Sequence, residues 1–278
     1  SKNILLLLPL LLSHTFLIPE KIGSALLAFC CFSLSASAIY LVNDIFDIHA
    51  DRHHPRKRFR PFASGALSIP QGLLAATVIA TAAFVLASLI SPLFVAIIVG
   101  YLVTTSLYTL WLKKLPIIDL IFIGFFYTYR IVAGGVATEV PLTDWLLAFS
   151  TFFFLSVGIV KRYGELRLTV NGETTKKNNR GYLPDDLPLL LGFGLNSGFL
   201  SIVIFALYIH STEVAKLYAH PSLLWGVVVA LLVWIMRLWL LAQRGVIHDD
   251  PLLFTLRDRK SGILALLVII LLAIATIA

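Results

Sequence analysis

Almost the whole chain is a succession of apolar runs, each about as long as a lipid bilayer is thick. Runs of roughly 17–25 mainly apolar residues mark transmembrane helices. Nine can be read here, at 3–18, 23–43, 70–89, 92–112, 117–138, 143–163, 187–210, 221–243 and 261–278. Only 13% of the 278 residues are charged and 59% are apolar, whereas a soluble domain is about 25% charged. Lipid offers backbone amides no partner outside their own segment, so such spans must be helical. The expected class is all-α, a polytopic membrane protein of nine transmembrane helices. Pro70, Pro116, Pro141, Pro188 and Pro221 stand at or just before span starts, where a missing N–H costs little. Cys30 and Cys31 are adjacent and imply no disulfide framework. The opening SKNILLLLPL lacks a signal-peptide cleavage pattern. Its short first run leads us to expect a missing upstream part.

The cations fall on one side. If even-numbered spans end on the cytoplasmic face, that face holds 19 of the 22 Lys and Arg residues, while Lys21 and Lys216 lie opposite and Arg130 lies inside a span. Such a bias sets orientation, so the net charge of +7 describes one face. A basic face of this kind also contacts anionic membrane lipid. Nothing in the chain reads as a nucleic-acid module or an internal repeat.

What topology does not explain is the acid among these cations. In NDIFDIHADRHHPRKRFRP, residues 43–61, Asn43, Asp44, Asp47 and Asp51 stand at i, i+1, i+4 and i+8. At about 100° per residue the three carboxylates share one helix face. Like charges so spaced repel, and a cation must stabilise them. Mg²⁺ takes oxygen ligands and is commonly held by one or two carboxylates plus substrate phosphates. The structural alternative is pairing with Arg52, Arg56 or Arg58. Arg56, Lys57, Arg58 and Arg60 come directly after and suit phosphate oxygens. His49, His53 and His54 match no common zinc spacing.

This pattern, N-D-x-x-D-x-x-x-D followed by DRHHPRKRFRPFASG, resembles the UbiA superfamily of intramembrane prenyltransferases. YTLWLKKLPIIDL (108–120), YRIVAGG (129–135), KRYGEL (161–166) and HDDPLLFTLRDR (248–259) look like the same superfamily, and the resemblance covers almost the whole chain. It implies one domain over 1–278, with nine helices around a central cavity under cytoplasmic cap loops. It also implies a cytoplasmic active site in a membrane, expected to be the bacterial inner membrane. Asn43, Asp44, Asp47 and Asp51 match the family's first Mg²⁺-binding motif. The second acidic motif is absent. KRYGEL stands there instead, with Lys161, Arg162, Tyr163 and one carboxylate, Glu165. That departure resembles the branch that makes decaprenylphosphoryl phosphoribose for the cell envelope. Its partners would be a polyprenyl phosphate lipid and a phosphorylated water-soluble donor, phosphoribosyl diphosphate. Relatives with KRYxEL often carry an upstream phosphatase-like domain.

On this reading Asp44, Asp47 and Asp51 hold the metal, and Lys161 acts with them in catalysis. Asn43, Arg56, Lys57, Arg58, Arg60, Arg130, Arg162, Tyr163 and Glu165 bind substrate. Two rivals remain at this level, an aromatic prenyltransferase with a prenyl diphosphate donor and a non-enzymatic lipid transporter. Arg130 reads either as a contact to lipid phosphate or as half of an ion pair. Asp119 reads as a helix N-terminal acid or a partner of Lys114. Asp250 reads as an N-cap before Pro251, while Asp249, Asp250 and Asp258 are further site candidates. The polar stretch 166–185, carrying Lys176, Lys177 and Arg180, reads as a lid or a plain connector. Oligomeric state is left open.

Overall fold

Helix starts in this chain are written by prolines and hydroxyl caps. In the computed structural model, which describes residues 2–53, 57–170, 180–247 and 250–276, all regular elements are helical. The eight long ones are α1 (Pro19–Phe46), α2 (Ile69–Ser88), α3 (Pro92–Leu110), α4 (Ile118–Thr138), α5 (Asp144–Val170), α6 (Leu187–Tyr208), α7 (Leu224–Gln243) and α8 (Arg259–Thr276). At α2, Ser68 Oγ accepts from Gln71 N while Ser68 N donates to Gln71 Oε1, a reciprocal capping box. Ser91 Oγ accepts from Phe94 N at α3.

Among the described residues eight helices, not nine, are long and apolar enough to cross a membrane. The expected first span, 3–18, is instead a short helical stretch over Lys2–Leu12. It reaches roughly 20 Å, short of the roughly 30 Å hydrocarbon core. The break has a local cause. Ser13 Oγ bonds back to Leu10 O and across to Thr15, and His14 adopts a positive φ of 57°. The chain is an integral membrane protein.

The chain divides into two compact units, the first of residues 1–112 and 130–141. Here α1 packs on α2 through small residues: Ala25, Ala28, Cys31, Ser35 and Ala38 on α1, and Gly72, Ala76, Ala83 and Ala87 on α2. Apolar helices gain nothing by hiding from lipid, so close backbone approach and van der Waals contact must hold them. Phe32, fully buried, fills the space toward α3, with its ring 4.9 Å from that of Tyr101 and 6.3 Å from that of Phe94. The outward faces keep large side chains such as Leu74, Val78 and Val103 exposed, as lipid allows.

The second unit holds residues 113–129 and 142–278. Its core gathers Val157, Val160, Tyr163 and Leu166 of α5, Leu190 and Ile202 of α6, and Trp234, Ile235, Leu238 and Trp239 of α7. A buried polar relay ties the three helices. Trp239 Nε1 donates to Ser156 Oγ at 3.0 Å, and Ser156 Oγ donates to Gly194 O at 2.7 Å. Gly194 is there for room, since a Cβ on it would fall 1.9 Å from the Trp239 ring. Helix α5 runs to Val170, so residues 166–170 are helix rather than the loop expected. Asp250 caps the short helix Pro251–Arg257 by accepting from Leu252 N at 3.1 Å, as its sequence position predicts.

Candidate active site

The acidic segment sits where α1 ends. The helix is interrupted at Asp47, whose φ and ψ are −91° and 3°, and resumes over Ile48–Arg52. Helical hydrogen bonds still cross the break, from Asp47 N to Asn43 O at 2.9 Å and from Asp51 N to Asp47 O at 2.8 Å. Asp44 and Asp51 therefore keep a common face. Both reach one cation: Arg60 Nη1 donates to Asp44 Oδ1 and to Asp51 Oδ2, each at 2.8 Å. Asp51 is buried at 3% exposure, and Arg60 meets the carboxylate repulsion that the spacing foretold.

The arginine that does this is not one of the three named for a structural pairing. Arg52 turns away and donates from Nε to Ala63 O at 3.2 Å. Arg58 is exposed, its guanidinium 4.9 Å from the centroid of the Phe59 ring. Arg56 lies outside the described residues, as does the side chain of Lys57. The Pro61–Ser64 turn aims Arg60. Phe62 is buried over Gly72, and Gly65 closes the turn in the left-handed region at φ 81°.

Asn43 and Asp47 are half-buried, and among the described residues neither side chain has a hydrogen-bond or ion-pair partner. The described residues bring together no group of three or more His, Cys, Asp or Glu side chains able to hold a metal by themselves. The donor set still fits Mg²⁺ in its usual mode, with one or two carboxylates while water and phosphate fill the remaining positions. Two carboxylates already converge on a single cationic atom, and the Asp47 carboxylate, on the next turn of the same segment, is uncommitted.

In the second unit KRYGEL lies in the C-terminal half of α5. Arg162 points into the protein, 3% exposed, and is gripped by Asp119, which is fully buried. Arg162 Nε donates to Asp119 Oδ2 and Arg162 Nη2 to Asp119 Oδ1 at 3.1 Å. Asp119 Oδ1 also accepts from Arg180 Nη1 at 2.9 Å, and Glu165 Oε2 accepts from Arg162 Nη1 at 2.6 Å. Two arginines and two carboxylates thus form one network. Its hub is Asp119 in the first turn of α4, and its partners are Arg162 and Arg180 rather than Lys114. Lys161, which precedes Arg162 in α5, is half-buried. Tyr163 donates to Gln243 Oε1 at 2.7 Å with its ring edge-on to Trp239.

Arg130, 7% exposed in the first unit, donates from Nε to Asn3 Oδ1 at 3.0 Å and from Nη2 to Tyr101 OH at 3.1 Å. Asp258 pairs with Arg237 through two bonds of 2.6 and 2.9 Å. Those hydrogen bonds hold its carboxyl at about 2, below the ordinary 3.8. Lys176, Lys177 and Asp249 lie outside the described residues. Sequence reasoning missed Asp119 as a hub, and missed Tyr101 and Asn3 around Arg130. The available signal was an ionisable residue at membrane depth, which demands a partner without naming it.

Known proteins resemble this chain in both sequence and fold. The family model described as the UbiA prenyltransferase family matches residues 6–256. Decaprenyl-phosphate phosphoribosyltransferase of Mycobacterium tuberculosis is 37% identical over 164 residues, 59% of this chain and 54% of that protein. The uncharacterised protein y4nM of Sinorhizobium fredii is 36% identical over 96% of this chain and 52% of its own length. The chain thus spans about half the length of these two relatives. Among solved structures, a digeranylgeranylglyceryl phosphate synthase matches with a TM-score of 0.68 at 20% identity, over 99% of this chain and 92% of that one. A UbiA homologue from Archaeoglobus fulgidus bound to GPP and Mg²⁺ matches with a TM-score of 0.64 at 14% identity, over 99% of this chain and 98% of that one. At these identities the structures speak for the fold alone. The acidic face at the end of α1, the helical architecture and the family match over most of the chain lead to one conclusion: this protein belongs to the UbiA prenyltransferase family.

Proposed function

We propose that the protein is a Mg²⁺-dependent membrane transferase that joins a polyprenyl phosphate to the phosphoribosyl group of phosphoribosyl diphosphate, with release of diphosphate. It would work in a bacterial inner membrane with its reaction on the cytoplasmic face, where the Arg- and Lys-rich segments cluster. The observation that carries this reading is the character of KRYGEL. Where a second acidic motif would serve a prenyl diphosphate donor, α5 carries Lys161 and Arg162, with Arg180 joined to Arg162 through Asp119 and Glu165. A donor bearing a 5-phosphate besides its diphosphate calls for cations more than for further carboxylates. Similarity to the mycobacterial phosphoribosyltransferase supports the same substrate class.

In the reaction the C1–oxygen bond to diphosphate breaks and a bond from C1 to an oxygen of the lipid phosphate forms. The acceptor is already anionic, so no side chain need remove a proton. Asp44, Asp47 and Asp51 would hold Mg²⁺, with Asn43 supporting them. Bound there, the metal would neutralise charge gathering on the leaving diphosphate. Arg60 anchors Asp44 and Asp51 in place. Arg56, Lys57 and Arg58 would meet outer phosphate oxygens, as would Lys161. Arg162 and Glu165 shape the network beside Lys161, Tyr163 braces α5 against α7, and Arg130 is assigned to the lipid phosphate.

The test is to incubate the purified protein with polyprenyl phosphate and labelled phosphoribosyl diphosphate. A labelled lipid formed only with Mg²⁺ supports the reading. Diphosphate release solely from a prenyl diphosphate plus an aromatic acceptor overturns it.

A further inference from the structure

The short helix Ile48–Arg52 has a second working face. Ile45, Ile48, His49 and Arg52 stand at i, i+3, i+4 and i+7, turned roughly a third of a revolution from the acidic face. They form one wall of a cleft of about 360 Å³, and Phe62, Gly65, Leu67, Ser68 and Ile69 form the other. The cleft therefore lies where the last turn of α1 meets the first turn of α2.

Its lining is both cationic and apolar. It includes the His49 and Arg52 side chains, both exposed. Arg52 is anchored through Nε to Ala63 O. Its two terminal nitrogens have no hydrogen-bond or ion-pair partner among the described residues, and the His49 ring has none either. An arginine fixed at Nε with its outer nitrogens uncommitted is preorganised for an oxyanion. Ile69 also lines the cleft. The exposed side chains of Ile69, Leu73 and Leu74 then continue down α2, the helix that begins its membrane crossing there. An exposed cation in the lining and an apolar track descending a spanning helix fit a molecule with an anionic head and an acyl chain.

We propose that this cleft binds an anionic glycerophospholipid, with its phosphate on Arg52 and His49 and an acyl chain along Ile69 and Leu73. The basic bias of this side of the protein favours the anionic class over a zwitterionic one. The site is separate from the acidic face, and neither substrate of the proposed reaction is needed to fill it. Because Arg52 and His49 share a short helix with Asp51, and Asp47 stands at its N-cap, a lipid seated there steadies the segment that carries the carboxylates.

The experiment is native mass spectrometry and thermal unfolding of the detergent-purified protein with dioctanoyl phosphatidylglycerol. Dioctanoyl phosphatidylcholine, inorganic phosphate and polyprenyl phosphate serve as the other arms, and no donor is added. The expected result is a bound phosphatidylglycerol and a raised unfolding midpoint, with neither effect from phosphatidylcholine or phosphate. Arg52→Gln should weaken that binding about tenfold or more, by loss of charge-assisted hydrogen bonds. Ile69→Asn, at an exposed position that leaves Arg52 untouched, should weaken it severalfold and keeps the test valid if Arg52→Gln folds poorly. Equal binding by phosphatidylcholine, by inorganic phosphate alone, or by both variants overturns the proposal, as does displacement of the phosphatidylglycerol by equimolar polyprenyl phosphate. Since no turnover is measured, failure here leaves the transferase reading standing, and failure of the transferase assay leaves this site standing.

Discussion

At the scale of single residues, the charged side chains divide into those the fold has committed and those it has left available. Asp119 belongs to the first kind, fully buried with two arginines on its oxygens. Removing one partner of a buried pair leaves the other charge uncompensated. Asp119→Asn is therefore expected to destabilise the protein by about 3–5 kcal/mol, seen as a large fall in the thermal unfolding midpoint in detergent. Asp47 belongs to the second kind, and Asp47→Asn should change stability by no more than about 0.5 kcal/mol while abolishing Mg²⁺-dependent turnover. Arg60 links the two kinds. Arg60→Gln leaves Asp44 and Asp51 facing each other, so the variant should unfold at a lower temperature, and added Mg²⁺ should raise its midpoint more than that of wild type. An equal response to Mg²⁺ in both would mean that the metal does not bind at these carboxylates.

What the sequence discloses at this scale is which atoms need partners, not which partners they find. The i, i+4, i+8 spacing makes the shared carboxylate face legible, because helix geometry is local. That Arg60 rather than Arg52 closes it depends on a turn through Pro61 and on Phe62 burying itself against Gly72. Asp119 lies 43 residues from Arg162 and 61 from Arg180, and no periodicity connects positions so far apart.

At the scale of elements, the helices meet through small residues, and the glycines are not equivalent. A Cβ at Gly194 would overlap the Trp239 ring, whereas one at Gly192 would meet nothing within 4 Å. Gly194→Ala should cost about 1–3 kcal/mol through overpacking. Gly192→Ala should be neutral or slightly stabilising, because it removes backbone freedom from the unfolded chain. Paired melts of the two variants check this, and similar losses in both would contradict the packing described. The stretch LGFGLNSG alone cannot rank them, since the difference lies in a tryptophan far along the chain on another helix. Near the start of α8, the Arg237 pair keeps the Asp258 carboxyl at about 2 rather than 3.8. A depressed carboxyl stabilises the fold above its ordinary value and loses that contribution as pH falls through the folded one. Between about pH 4 and pH 2 wild type should therefore lose more stability than Arg237→Gln, as monitored by helix content on acid titration.

At the scale of the whole molecule, apolar length specified most of the architecture. The expected spans at 117–138 and 187–210 correspond to α4, Ile118–Thr138, and α6, Leu187–Tyr208, because a hydrophobic thickness is a strong ruler. The first span failed as a ruler since Ser13, His14 and Thr15 stop the helix from within. Family membership was legible from one local motif, and the substrate class rests on a departure from that motif at KRYGEL. The central claim is therefore tested most directly by offering both donors to the same preparation, with polyprenyl phosphate and an aromatic acceptor present together. Labelled phosphoribosyl diphosphate should yield a labelled, Mg²⁺-dependent lipid product, and labelled prenyl diphosphate should yield none. Transfer of the prenyl group to the aromatic acceptor, with phosphoribosyl diphosphate untouched, would contradict the account.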